Sequence, residues 1–408
     1  MMRVFTFIPR QEGQFMRLII GLFNFCIASY FFVACSNKGA TEDTGYSNVN
    51  LRTFSDKKKS YYLFHDGPYQ DYVSRIDLEG GAVSIKKRHY VGNIACEDPT
   101  DYKSINDRLF VLCSGNSEII EIDKETGLLN KSYVLKRGSF PQQMSINEER
   151  NQLYVSLHKK DELYIYDIIK NDLSLFATIN LKQLPFEMEK NENNQTGSSF
   201  PRPSTMILNK ESDRLYVGLQ NFQDDIWPGG PGYLIEIDLL HNYKITRHLK
   251  LPCENPTQID YWPFSDKQRI LVTCSGNLAK QDGKLVVADL LTMETVATYT
   301  PKANMGKLIF LNSNLVLFSE WNSNDLFSYN LEDDFLTRVS LNSSGCSQKE
   351  RPEQINYYST LHRDGTLIFA NEYFTKCLHF LYYDPVTEDL ISDGQEFIAG
   401  RPYFMVPL

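Results

Sequence analysis

The 408-residue sequence predicts an all-β fold, and three observations carry that reading. Tyr (24) and Phe (25) are abundant while few segments are amphipathic at the helical period, a balance that favours strands. The chain also resembles itself: CEDPTDYKSINDRLFVLCSGN (Cys96–Asn116) returns as CENPTQIDYWPFSDKQRILVTCSGN (Cys253–Asn277). Finally, a Pro, two mostly polar residues, an apolar residue and then a run such as LYVSL or LYVGL recur at intervals of about 50 residues.

Each copy of the long repeat reads as a β-hairpin with a cysteine at both open ends. In the first, Thr100–Ile105 and Arg108–Leu112 flank Asn-Asp; in the second, Thr257–Tyr261 and Gln268–Thr273 flank a turn containing Pro263. The landmark prolines are Pro99, Pro141, Pro203, Pro256, Pro352 and Pro402, with a copy lacking Pro at Met305-Gly306. After LYVSL (Leu153–Leu157) come the turn HKKDE, the strand LYIYDII, the turn KNDL and the outer strand SLFATINL, so a unit holds four strands.

This grammar resembles the YVTN-type β-propellers, whose repeats carry a Pro-led inner strand, an LYV-type second strand and a V-x-D-x-x-T-G-like third strand. The resemblance covers roughly residues 60–408 and implies a seven-bladed β-propeller, an architecture that hosts many unrelated activities. GRPYFMVPL (Gly400–Leu408) is an inner strand with nothing after it, while Ser60–Val91 holds three strands with no inner strand before them. One plus three makes the seventh blade and removes two free sheet edges.

In such a blade the entrance to the inner strand lies beside the exit from the second. That arrangement implies the disulfides Cys96–Cys113 and Cys253–Cys274, and a third staple, Cys346–Cys377, on the same face of the disc. Each would close a loop of about 16 to 31 residues and contribute on the order of 3 kcal/mol. Six such cysteines suit an oxidising compartment, and no C-x-x-C spacing points to a metal.

The amino terminus supplies the route there. Arg3, Arg10 and Arg17 precede the apolar run Leu18–Cys35, the layout of a cleaved export signal, with Met1 or Met16 as the start. Leu18–Ala34 contains Asn24 and falls short of the ~20 residues a membrane span needs. Phe32-Val33-Ala34-Cys35 resembles the lipobox of bacterial lipoproteins, departing from it at Phe32, where Leu is usual. The resemblance implies that residues 1–34 are removed, that Cys35 carries the lipid and that, with Ser36 following, the protein lies in the outer membrane of a host that has one. Residues 35–59 are then a polar tether and 60–408 the propeller.

Loss of the signal makes a chain of formal charge −9 more acidic still, which argues against a nucleic-acid partner. The sequence has no G-x-S-x-G, H-E-x-x-H, Walker or EF-hand motif, so no catalytic residue, metal or cofactor is assigned. Two sets of binding residues are. Alternation along the inner strands is expected to turn Asp101, Gln143, Thr205, Gln258, Lys307 and Gln354 into a polar ring around the central channel. On the stapled face, loops carrying His65, Trp227, Trp321 and Tyr373 suit recognition of a protein, peptide or glycan. The expected protein is a monomeric, lipid-anchored binding or scaffold protein of the cell envelope; the alternative is a hydrolase, lyase or quinoprotein-like oxidoreductase working at the channel mouth.

Overall fold

The computed structural model describes residues 48–50, 58–66, 71–79, 82–89, 96–190, 198–223, 229–263, 268–341 except 278, 322 and 324, 358–372, 376–397 and 402–408. They form a seven-bladed β-propeller. From the axis outwards, blade 1 is Pro99–Ile105, Arg108–Cys113, Glu118–Asp123 and Leu129–Val134, and blade 2 is Pro141–Asn147, Gln152–Leu157, Glu162–Ile169 and Asp172–Asn180. Blade 3 is Pro203–Asn209, Arg214–Leu219, Pro231–Asp238 and Lys244–Glu254; blade 4 is Pro256–Tyr261, Arg269–Cys274, Lys284–Asp289 and Glu294–Tyr299. Blade 5 is Met305–Phe310, Leu315–Glu320, Leu326–Asn330 and Phe335–Val339; blade 6 is Tyr358–Asp364, Leu367–Glu372, Cys377–Tyr383 and Leu390–Phe397.

Blade 7 is closed from both ends of the chain. Pro402–Pro407 pairs with Lys59–Asp66, placing Met405 opposite Leu63, and Asp71–Glu79 and Ala82–His89 follow outwards. A fifth strand, Asn48–Asn50, adds to Ala82–His89, so the sheet reaches back into the stretch read as tether. The helical turns His158–Lys160 and Leu181–Gln183 are short, and among the described residues no helix is long and apolar enough to cross a membrane. The signal run Leu18–Cys35 lies outside the described residues.

Hydrophobic burial explains why LYVSL-type runs are continuous rather than alternating. Every residue of Gln152–Leu157 is buried, because a neighbouring blade covers each face of the sheet, whereas the outer strand Leu129–Val134 is largely exposed. Seven apolar clusters among the described residues occupy the seven blade–blade interfaces. Tyr61, Leu63 and Met405 meet Phe369 and Phe380 between blades 6 and 7; Tyr62, Phe64 and Val406 meet Leu109 and Val111 between blades 7 and 1. Each such side chain, once fully buried, contributes about 1.5–3 kcal/mol relative to exposure.

Polar contacts cross the same interfaces. On the rim opposite the staples, Arg108 bridges the buried Glu121 carboxylate in its own blade to the Ile169 carbonyl of blade 2, at 2.8 Å each. Burial alone would raise the Glu121 carboxyl, but hydrogen bonds from Arg108 and Tyr133 outweigh it and hold the carboxyl below its ordinary value.

Asp98, Phe140, Arg202 and Asn255, each immediately before a landmark proline, have φ between 47° and 56°. A residue preceding proline ordinarily favours extended backbone. Here the left-handed kink aims two carbonyls at the end of the second strand: Ser114 donates to Asp98 (3.0 Å) and Gly115 to Glu97 (2.9 Å), and Ser275 and Gly276 repeat the pattern with Asn255 and Glu254. The Gly of each Cys-Ser-Gly-Asn is required there. A Cβ on Gly115 would lie 2.6 Å from that of Glu97, and Gly276 itself has φ +69°.

Beside these kinks the structure joins Cys96 to Cys113 and Cys253 to Cys274. Cys377 is also disulfide-bonded; Cys346, expected as its partner, lies outside the described residues. With sequence separations of 17 and 21, each described bridge stabilises by about 3 kcal/mol in the chain-entropy model. Reduction with dithiothreitol should therefore lower the denaturant midpoint markedly, and non-reducing peptide mapping should recover only linkages between neighbouring peptides. A bridge joining blade 1 to blade 4 would contradict this fold.

Candidate functional site

The inner strand of each blade is a sheet edge, so backbone N–H groups on its channel side need partners from elsewhere. Much of the predicted polar ring supplies them. An Asp101 carboxylate oxygen accepts from the Met144 amide of blade 2 at 2.7 Å, Gln143 accepts from Met206 of blade 3, and Gln258 accepts from Leu308 of blade 5 at 3.0 Å and donates back to its carbonyl at 2.8 Å. These side chains clasp the next blade. The residues that alternate with them, Met144, Met206, Ile259 and Leu308, are buried in the apolar clusters, while Asp101, Gln143, Gln258 and Lys307 are half-buried.

Thr205 is 1% exposed, with its hydroxyl unpartnered, and does not line an open channel. Gln354 lies outside the described residues, and its expected place in the inner strand belongs to Thr360. Tyr358 stands opposite Glu372 as Pro99 stands opposite Cys113, and both pairs are followed by a bulge. Thr360 donates to the Tyr403 carbonyl of blade 7 at 2.9 Å.

Lys307 differs from the rest of the ring, since an ammonium cannot accept from a neighbouring amide. Its backbone N–H donates to Ser319, but its side chain makes no hydrogen bond or ion pair among the described residues. Two places along the equivalent strands, Lys103 and Asp260 complete a group that the sequence reading had missed. Lys103 is bound to both oxygens of Asp101 at 2.9 and 3.1 Å, while one oxygen of Asp260 accepts from the Gln258 amide at 2.5 Å.

Asp260 and Lys307 keep some contact with solvent but are enclosed by protein. Burial pushes the Asp260 carboxyl up to about 6, against the pull of the Gln258 hydrogen bond and of Lys307 and Lys103. Burial likewise lowers Lys307, opposed by Asp101 and Asp260 and reinforced by Lys103. Groups perturbed in this way cluster at functional sites. A charged residue within an inner strand, two places beyond the ring, was the signal available in the sequence.

Of the four residues predicted on the stapled face, His65 and Trp321 are described. His65 belongs to the strand Lys59–Asp66, is 3% exposed and bonds Ser74 at 2.7 Å, which corrects its assignment to a binding loop: the strand runs further than expected and takes the ring into the sheet. Trp227 and Tyr373 lie outside the described residues. Trp321 is 41% exposed and follows the second strand of blade 5, with its amide bound to the Asn304 carbonyl at 2.9 Å. His158, elsewhere on this face, is held by Gln220 at 2.8 Å. A cavity of about 270 Å³ lies between the loops of blades 2 and 3, walled by Leu181, Leu184, Phe186, Met188 and Phe200 with Lys182 and Ser199.

Glu372, Cys377 and His379 bring metal-type atoms within 4.8 Å of one another. The Cys377 sulfur is committed to a disulfide and His379 bonds Glu372 at 2.7 Å, so the group is a buried polar contact and supplies no thiolate ligand.

No protein-family model and no curated protein sequence matches the chain. Solved structures do. A protein from Lactobacillus plantarum aligns with a TM-score of 0.62 at 12% identity over 86% of this chain and 100% of its own. A periplasmic gluconolactonase of Pseudomonas aeruginosa gives 0.59 at 12% identity over 86% and 99%, and a hydrazine synthase of Kuenenia stuttgartiensis gives 0.53 at 12% over 72% and 79%. At such identities the likeness shows the fold alone.

Proposed function

We propose that the protein is exported, anchored by lipid at Cys35, and acts at the cell envelope, in the outer membrane, as a binding or scaffold protein for a protein, peptide or glycan. The observation that carries this reading is how the polar groups are used. Asp101, Gln143 and Gln258 hold blade to blade and His65 is buried, while disulfides brace the loop bases of blades 1 and 4 and Trp321 of blade 5 is exposed. A rigid scaffold presenting an aromatic on a loop suits recognition. Disulfides and an acidic chain support an oxidising, nucleic-acid-free location.

The test is capture of envelope components by the anchored protein, compared with Trp321→Ala. A partner retained equally by both would remove the stapled face of blade 5 from the reading. Anchoring has its own test. Cys35→Ser is expected to move the protein from the membrane to the soluble fraction; a variant that stays in the membrane, uncleaved, identifies an uncleaved anchor.

A second reading, an enzyme at the channel mouth, is favoured by the Asp260–Lys307 pair and by likeness of fold to a gluconolactonase. Hydrolysis of gluconolactone above the spontaneous rate, lost in Asp260→Asn, would support it; no rate above background would remove that substrate.

A further inference from the structure

Blade 6 departs from blades 1 and 4 at the end of its second strand. There Cys113 and Cys274 stand opposite Pro99 and Pro256. In blade 6 that place belongs to Glu372, opposite Tyr358, and the cysteine lies across the ladder instead, where Cys377 is the register partner of Glu372. His379 follows two places along the third strand, opposite Ala370; the equivalent pairs are Val111 with Ile120 in blade 1 and Val272 with Val286 in blade 4. Blade 6 therefore puts an imidazole, 1% exposed, where blades 1 and 4 put an aliphatic side chain.

Buried polar groups cost stability unless they are partnered, and here an acid, an imidazole and a sulfur gather in one buried place. Strand geometry brings them together. Residues two apart in a strand share a face, and directly opposed residues share it too, so Cys377, His379 and Glu372 all turn to the same side of blade 6. On that side Ala370 and Leu381 meet Leu317 and Leu326 of blade 5. The sulfur, a ring nitrogen and a carboxylate oxygen all lie within 4.8 Å of one another, with His379 Nε2 and a Glu372 oxygen 2.7 Å apart.

We propose that Glu372, Cys377 and His379 are a zinc-class metal site that the Cys377 disulfide keeps closed and that reduction opens. Tetrahedral coordination at ordinary Zn–S and Zn–N lengths sets donor atoms about 3.3 to 3.6 Å apart, so side-chain shifts of about 1 Å bring this group to it. A thiolate, an imidazole and a carboxylate select ions of the zinc class, whereas calcium and magnesium take oxygen ligands. Opening consumes one dithiol. It gives two electrons and two protons to the Cys377 disulfide and closes to its own disulfide, leaving two thiols; Cys377 then releases its proton to solvent as its sulfur joins the metal. In an oxidising compartment the site stays shut. The inference does not depend on the recognition reading, and a partner that ignores Trp321 would leave it intact.

The experiment is titration of the full chain with cobalt(II), a spectroscopic stand-in for zinc, read by the thiolate-to-cobalt charge-transfer band. The oxidised protein should show no band. Cys346→Ser removes the partner expected for Cys377 and leaves a thiol without any reductant, so it should bind cobalt with that band, and zinc should displace it. Wild-type protein reduced with dithiothreitol and desalted under argon is the second preparation, in case serine disturbs the fold. In the Cys346→Ser background, His379→Gln or Glu372→Gln should weaken cobalt binding about tenfold or more, and Cys377→Ser should abolish the band. A band in the oxidised protein, no band in either preparation, a band that survives Cys377→Ser, or an affinity unchanged by His379→Gln and Glu372→Gln would overturn the proposal.

Discussion

A chain lacking Pro402–Leu408 is expected to be insoluble or protease-sensitive. The deletion strips the inner strand from blade 7, exposes the edge of Lys59–Asp66 and removes Met405 and Val406, each 1% exposed. Burial of those two side chains alone contributes about 3–6 kcal/mol, against a total stability of about 5–15 kcal/mol for a domain. The loss extends further, because Met405 packs in the interface with blade 6 and Val406 in that with blade 1. Limited proteolysis alongside the intact chain measures the effect; equal resistance would show that closure through blade 7 does not hold the ring together.

Arg108→Met is expected to be strongly destabilising. It leaves the Glu121 carboxylate, 7% exposed at its side chain, with the neutral donors Tyr133 and Asn130 and no cation, and it cuts the bond to the Ile169 carbonyl of blade 2. Breaking a buried pair in this way costs about 3–5 kcal/mol. In the native protein Glu121 is held below its ordinary 4.5, so its contribution to stability is present above that value and fades as the pH falls through the lowered one. In Arg108→Met the carboxyl should rise instead, making the variant relatively more stable in acid. Urea midpoints at pH 7 and pH 5 read both effects. The double variant Arg108→Met/Glu121→Gln should recover much of the loss; if it does not, the damage comes from the inter-blade bond and not from a stranded charge.

The fold was legible because a propeller repeats its instructions. The duplicated Cys-Glu-(Asp/Asn)-Pro-Thr stretch marked two equivalent hairpins, and the unmatched strands at the two ends marked the closing blade. Where the repeat loses its landmark, legibility fails. Pro352 lies six residues before Tyr358, where blade 6 begins, so Gln354 was read in place of Thr360. His65 was read as a loop residue because nothing in SYYLFHDG signals that the strand continues to Asp66.

The candidate site was legible as positions but not as roles. Period-two alternation states that Asp101, Gln143, Gln258 and Lys307 share a face; it does not state that another blade lies against it. Only three-dimensional closure converts those acceptors into clasps and leaves the one cation among them without a partner. Asp260 escaped notice for a related reason: burial, invisible in a single strand, is what gives its carboxyl an unusual proton affinity.

Closure of blade 7 by Pro402–Pro407 also orders events in time. That strand follows in chain order every strand it completes, so blades 1 to 6, wherever they fold before it pairs, form an open arc with two bare edges. Joining them is the most non-local step available to this chain and is opposed by the entropy of the longest loop it can form. The disulfides Cys96–Cys113 and Cys253–Cys274 close short loops within single blades and need not wait for it. Oxidation would therefore precede circularisation, and the cell's window for misfolding, aggregation or chaperone capture is the interval between the two.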